Sequence, residues 1–187
     1  MEKRKVSMLY DLQQWSHSRS AWQVLFLSAA VLVGAALYFQ HVQGLQPCIM
    51  CIYQRTAVIA ILFAAFVPLM HNSFFMRLIA FAIWGTAAVK GFLLSTEHKD
   101  ILFGENSYLV PCGIEPNFPS FMPLHEWFPN LFGAPGDCYE NSWQLFGLGM
   151  AEWMQIIFAI YIAVFVFMFV LQFISFSNNK TIRQKKL

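Results

Sequence analysis

The stretch LQPCIMCIYQRTAVIAILFAAFVPLM, Leu45 to Met70, decides how the rest of the chain is read. Two cysteines stand three positions apart behind a proline, an arginine follows four residues after the second, and Thr56 to Met70 then carry no charge. As a helix that uncharged run is roughly 22 Å long, short of a hydrocarbon core of about 30 Å. Extending the helix back to Ile49 gives roughly 33 Å. Cys51 and Arg55 then lie on its first turns, and Pro47, which lacks an N–H, suits the approach to a helix start.

Of the 187 residues, 58% are hydrophobic and 12% charged, more apolar than one soluble core of this size accommodates. Apolar runs also occur at Trp22–Phe39, Leu78–Ser95 and Trp153–Phe176. The fold class predicted is an all-α membrane protein, a four-transmembrane-helix bundle, with spans at 22–39, 56–71, 78–95 and 153–174. The lipid bilayer is its expected partner, and no nucleic-acid partner is expected. Nine of the twelve basic residues fall before the first span, at Arg77, or after the last span. The positive-inside rule therefore predicts cytoplasmic segments at 1–21, 72–77 and 175–187, with 40–55 and 96–152 outside. A cleaved signal peptide is the competing reading of the first span, but its apolar run continues through Leu37, Tyr38 and Phe39.

The second outer segment is long, and long loops are usually functional. Glu97 to Glu152 hold eight acidic residues and one lysine, a formal charge of −7, and six of the eight prolines. Within it FPSFMPLHEWFPNLF, Phe118 to Phe132, is too aromatic for a freely solvated loop. It either lies on the membrane as a short helix or turn, or packs into a small outer core.

All four cysteines, Cys48, Cys51, Cys112 and Cys138, fall in the predicted outer segments, where disulfides are expected. Zinc would call for a second close pair, yet 25 residues separate Cys112 from Cys138, and no metal is expected. Stapling is a reasonable reading of the distant pair, where closing the loop contributes about 3–4 kcal/mol in the chain-entropy model. A bridge between Cys48 and Cys51 restrains very little chain. A close pair at a helix start beside a cation is instead what thiol exchange uses. A cycling dithiol needs somewhere to send electrons, and the chain carries no haem-attachment, flavin or dinucleotide motif. A carrier dissolved in the bilayer remains. Cys51 and Arg55, at i and i+4, share the face that a lipid-soluble quinone head would meet.

These features resemble the DsbB family of disulfide-forming inner-membrane proteins of Gram-negative bacteria. The resemblance runs through Tyr38-Phe39-Gln40-His41-Val42, PCIMCIYQR, Thr96-Glu97-His98, Cys112, Gly136-Asp137-Cys138, Phe146-Gly147-Leu148 and a last span opening at Trp153. It implies a bacterial inner-membrane thiol:quinone oxidoreductase with Cys48, Cys51, Cys112 and Cys138 catalytic. It further implies that a Cys112–Cys138 disulfide accepts electrons from a reduced DsbA-like periplasmic partner, Cys112 forming the mixed disulfide. Ubiquinone, or menaquinone when oxygen is scarce, would be the acceptor, met by Cys51, Arg55 and His98. The DsbA–DsbB–quinone relay is already known to keep the bacterial periplasm oxidising. Gln54 departs from the family pattern, in which an acidic residue commonly precedes the arginine, and leaves open a specialised paralogue serving a dedicated partner. A metal-handling or structural tetraspan protein is the alternative from a different class. Vitamin K epoxide reductase-type proteins combine similar parts, with the close pair after the long loop instead of before it.

Overall fold

The computed structural model describes residues 12, 14–16, 18–104, 116–139 and 143–173. Four of its helices are long and apolar enough to cross a membrane. They are α1 (Arg19–His41), α2 (Ile49–Met70), α3 (Phe74–Phe103) and α6 (Met150–Phe173), with short α4 (Leu124–Trp127) and α5 (Pro129–Phe132) between α3 and α6. Helix α2 packs against both α1 and α3, and α3 also packs against α6. The chain is thus a multi-pass membrane bundle. Lys90 sits on an exposed face of α3.

The helices outrun the apolar stretches that signal them. Helix α2 starts at Ile49, well before Thr56, because Cys48 caps it: the Cys48 sulfur accepts the Cys51 backbone N–H at 3.3 Å. Helix α3 runs 30 residues, roughly 45 Å. Its last two turns pass beyond Ser95 and carry Glu97, His98, Lys99 and Asp100 out of the apolar run. At the other end of the bundle, Ser73 caps α3 by accepting the Met76 N–H.

The core is graded along the bundle. Toward the end where α1 begins, Trp22, Phe81, Trp84, Phe165 and Phe169 interlock, with Trp22 and Phe81 centroids 5.2 Å apart at 68° and Trp84 and Phe165 at 5.6 Å and 77°. Elsewhere small residues such as Ala57, Ala64, Ala65 and Ala88 are buried, which lets helices approach without a solvent-driven force between them in lipid. Gly91 receives the fully buried Phe158 ring, and a β-carbon on Gly85 would stand 2.7 Å from Phe165 Cζ.

The aromatic stretch divides between its two expected fates. Phe118 lies edge-on to Tyr53 and Phe132, and Phe132 is buried. Phe121, Trp127 and Phe128 stay exposed. One feature was absent from the sequence reading: a two-residue-per-strand hairpin, β1 (Gln144–Leu145) with β2 (Leu148–Gly149), leads into α6. Phe146 and Gly147 both have positive φ, 54° and 79°, as a tight hairpin turn requires. The Trp153 indole N–H ties the turn back to the Leu145 carbonyl at 3.0 Å.

Gly91→Ala should destabilise the detergent-solubilised protein by the roughly 1–3 kcal/mol that overpacking costs, read as a lower thermal midpoint, since the added β-carbon meets the Phe158 ring. Gly34, with nothing within 4 Å of an added β-carbon, is the control: alanine there should leave the midpoint unchanged.

Candidate active site

The sequence motifs meet at the end of the bundle where α1 stops and α2 starts. Capping by Cys48 turns its sulfur back over the first turn, leaving Cys48 Sγ and Cys51 Sγ 2.8 Å apart as free thiols. Cys48 is buried and Cys51 partly exposed. His98, carried in by the polar extension of α3 and itself buried, places Nε2 3.6 Å from Cys48 Sγ. The hydrogen bond with Cys51 and burial push the Cys48 thiol well above its usual range, and His98 is the neighbour that opposes them.

Arg55 is 6% exposed. A buried guanidinium needs its donors met. One terminal nitrogen donates to Gln40 Oε1 and to the Leu131 carbonyl, both at 2.7 Å, and Gln40 Nε2 donates to the Asn130 carbonyl at 3.1 Å. Arg55 Nε is buried with no partner among the described residues.

The sulfurs and Arg55 border a cavity of about 380 Å³ between α1, α2 and α6, within the usual range for small-molecule sites. Leu32, Val33 and Ala36 of α1, Val58 of α2 and Met154 and Ile157 of α6 line its apolar body, while Cys51, Gln54, Arg55 and His98 supply polar atoms. An apolar cavity bordered by a buried guanidinium and a thiol suits a flat lipid-soluble acceptor with a carbonyl rim, so the residues present fit a quinone.

Cys138 is fully buried and disulfide-bonded; Cys48 and Cys51, being free, are not its partners. Cys112 lies outside the described residues. Cys138 packs in one cluster with Cys48, Ile49, Met50 and Ile101. Its position is set by Gly136, whose N–H bonds the Pro47 carbonyl at 3.0 Å and whose missing side chain admits the Gln46 carbonyl. Cys48, Cys51, Arg55, His98 and Cys138 therefore converge. Gln40, Gln54 and Gly136 join them without having been assigned a role from sequence, although all three sit inside quoted motifs. Cys48, Cys51 and His98 also keep their ligand atoms within 4.8 Å of one another, a spacing that a thiophilic ion could use.

The family model described as Disulfide bond formation protein DsbB matches residues 18–168. The chain belongs to the DsbB family. Among proteins named Disulfide bond formation protein B, that of Pseudoalteromonas atlantica is 53% identical over 77% of this chain and 84% of its own. That of Haemophilus influenzae is 38% identical over 96% and 99%, and that of Idiomarina loihiensis 43% over 81% and 84%. DsbB membership makes the chain a disulfide-forming oxidoreductase of the membrane.

Gly136→Ala should push the Cys138 segment off the Pro47 carbonyl. Losing that hydrogen bond, about 1 kcal/mol, predicts that Cys138 in the reduced protein alkylates about fivefold faster than in the wild type, read by mass spectrometry of the Cys138 peptide.

Proposed function

We propose that the protein reoxidises a reduced DsbA-like thioredoxin-fold partner in the periplasm and passes the electrons to membrane quinone, ubiquinone or, when oxygen is scarce, menaquinone. The observation that carries this reading is the meeting of the Cys48–Cys51 pair with buried Arg55 at one apolar cavity. The positive-inside distribution of basic residues supports cytoplasmic termini and periplasmic cysteines.

In this reading Cys112 and Cys138 form the outer disulfide. A partner thiolate attacks Cys112, breaking that bond and freeing the Cys138 thiolate. Cys138 attacks Cys48 of the oxidised short pair, and Cys51 leaves as a thiolate. The partner's second thiol closes its own disulfide and releases Cys112. Cys112 then reclaims Cys138, leaving Cys48 as a thiolate beside Cys51. Quinone, when bound, takes the two electrons and two protons as the short pair closes. Arg55 holds positive charge one helical turn from Cys51, at the border of the cavity, where that charge would favour an oxygen gaining negative charge. The packing of Cys138 in the same buried cluster as Cys48 supports the internal exchange.

Arg55→Met should weaken apparent quinone affinity or rate by about 30- to 150-fold, the roughly 2–3 kcal/mol of a charged hydrogen bond. Arg55→Lys should restore only part, because lysine keeps the charge and loses the planar fork. Quinone absorbance is followed with a reduced thioredoxin-fold dithiol as donor; unchanged kinetics in the methionine variant would reduce Arg55 to an interfacial anchor. Reduced protein that held stoichiometric metal and failed to reduce quinone would favour the metal-handling reading instead.

The topology has its own test. A membrane-impermeant thiol reagent should label the partly exposed Cys51 and Cys112 in intact spheroplasts after reduction, and protection of both until lysis would overturn the proposed orientation.

A further inference from the structure

Gln54 is 2% exposed, and the exchange sequence above gives it no task. A buried amide must have its polar atoms met, and how this one is met determines the chemistry of its neighbour. Gln54 Nε2 is 3.5 Å from the Leu94 backbone carbonyl and 3.4 Å from His98 Nδ1. A carbonyl oxygen can only accept, so the amide turns its NH2 group, not its oxygen, into this corner. The same NH2 group then donates to Nδ1. A neutral imidazole has one N–H, and with Nδ1 accepting, that proton is on Nε2. Nε2 faces Cys48 Sγ at 3.6 Å. The Cys51 backbone N–H reaches the same sulfur from the helix start at 3.3 Å.

We propose that Gln54 is a positioning residue that fixes the His98 tautomer, so that His98 serves Cys48 as a hydrogen-bond donor and not as a base. The Cys48 sulfur thereby faces two N–H groups, one from the imidazole and one from the first turn of α2. Cys48 carries negative charge when its bond to Cys138 breaks and the electron pair passes to its sulfur. A better stabilised leaving thiolate departs faster, so the pair of donors favours the step that returns electrons to the short pair. A carboxylate in place of the Gln54 amide would accept from Nδ1–H, and Nδ1 would then be protonated. The same logic bears on metal: with its proton on Nε2, His98 offers no lone pair toward the sulfurs, so Cys48, Cys51 and His98 form a hydrogen-bonded set and not a ligand set.

The role in leaving-group stabilisation rests on the proposed exchange sequence, whereas the tautomer does not. The experiment uses full-length protein in detergent, reduced, with 15N-labelled histidine. In the wild type, His98 should show a protonated Nε2 and an unprotonated Nδ1. Gln54→Glu should move a proton onto Nδ1, and Gln54→Met, which fills the space without donating, should give a mixture of tautomers. The chemical readout is iodoacetamide alkylation of Cys48 in a Cys51→Ser background, with and without Gln54→Met; loss of the fixed donor should slow it about tenfold, one unit of thiol acidity. The methionine variant carries the test if the glutamate variant fails to fold. A wild-type His98 protonated on Nδ1, a glutamate variant with the wild-type nitrogen pattern, or unchanged Cys48 alkylation in the methionine variant would overturn the proposal. None of these measurements involves quinone or a partner protein, so failure of the electron-transfer reading would leave them standing, and the reverse.

Discussion

A buried arginine is the constraint around which the cysteine end of this protein is built. Taking a guanidinium out of water costs several kcal/mol unless its donors find acceptors, and α2 alone has none to give, because its own carbonyls are spent within the helix. The acceptors come from elsewhere: the side chain of Gln40 at the end of α1 and the Leu131 carbonyl of α5. Gln40 passes the connection on to the Asn130 carbonyl. Three separated parts of the chain are thus drawn to one charge. The long segment between α3 and α6 is held over the bundle at Leu131 through Arg55, at Asn130 through Gln40, and at Gly136 through Pro47. Arg55 itself borders the cavity beside these contacts.

The second organising element is the first turn of α2. Serine, threonine, aspartate or asparagine ordinarily begins a helix; here a cysteine does, and capping fixes which way its sulfur points. Cys51 one turn on, and Arg55 one turn further, follow from the same geometry. Helix α3 completes the group only because it runs past its apolar stretch, which brings His98 level with the sulfurs. A third span ending at Ser95 would have left His98 in a loop with no fixed relation to Cys48.

How much of this was legible in the sequence depended on the kind of signal each residue gives. The four spans are written in apolar runs, and the C-x-x-C pair with Arg55 in local spacing, so these were readable. The start of α2 at Ile49 was also readable, because the uncharged run alone is too short to span; the reach of α3 through Thr96 to Phe103 was not, since a polar helical extension has no hydropathy signature. Gln40, Gln54 and Gly136 were in view as letters of motifs but silent as to role. Their partners are Arg55, His98 and the Gln46–Pro47 backbone, contacts that depend on tertiary approach and not on pattern. The hairpin before α6 was missed for a related reason. Its turn places Phe146 at φ 54°, a conformation costly for a bulky residue, so local propensity argues against what the Trp153 and Leu145 contact secures.

The arrangement contains a tension that bears on how the reaction is ordered. Cys138 is fully buried against Cys48, a good position for internal exchange and a poor one for meeting a soluble partner. Cys112 need not share that burial, since only one sulfur of an outer disulfide has to face the partner. The bond between two such cysteines would therefore connect an accessible site to a protected one, and attack on the accessible sulfur would deliver a thiolate directly into the protected cluster. Packing around Cys138 then has a chemical consequence beyond stability. In the proposed exchange a thiolate released there would emerge beside Cys48 and away from bulk water, and the competing attack, back on the partner, would be disfavoured by position.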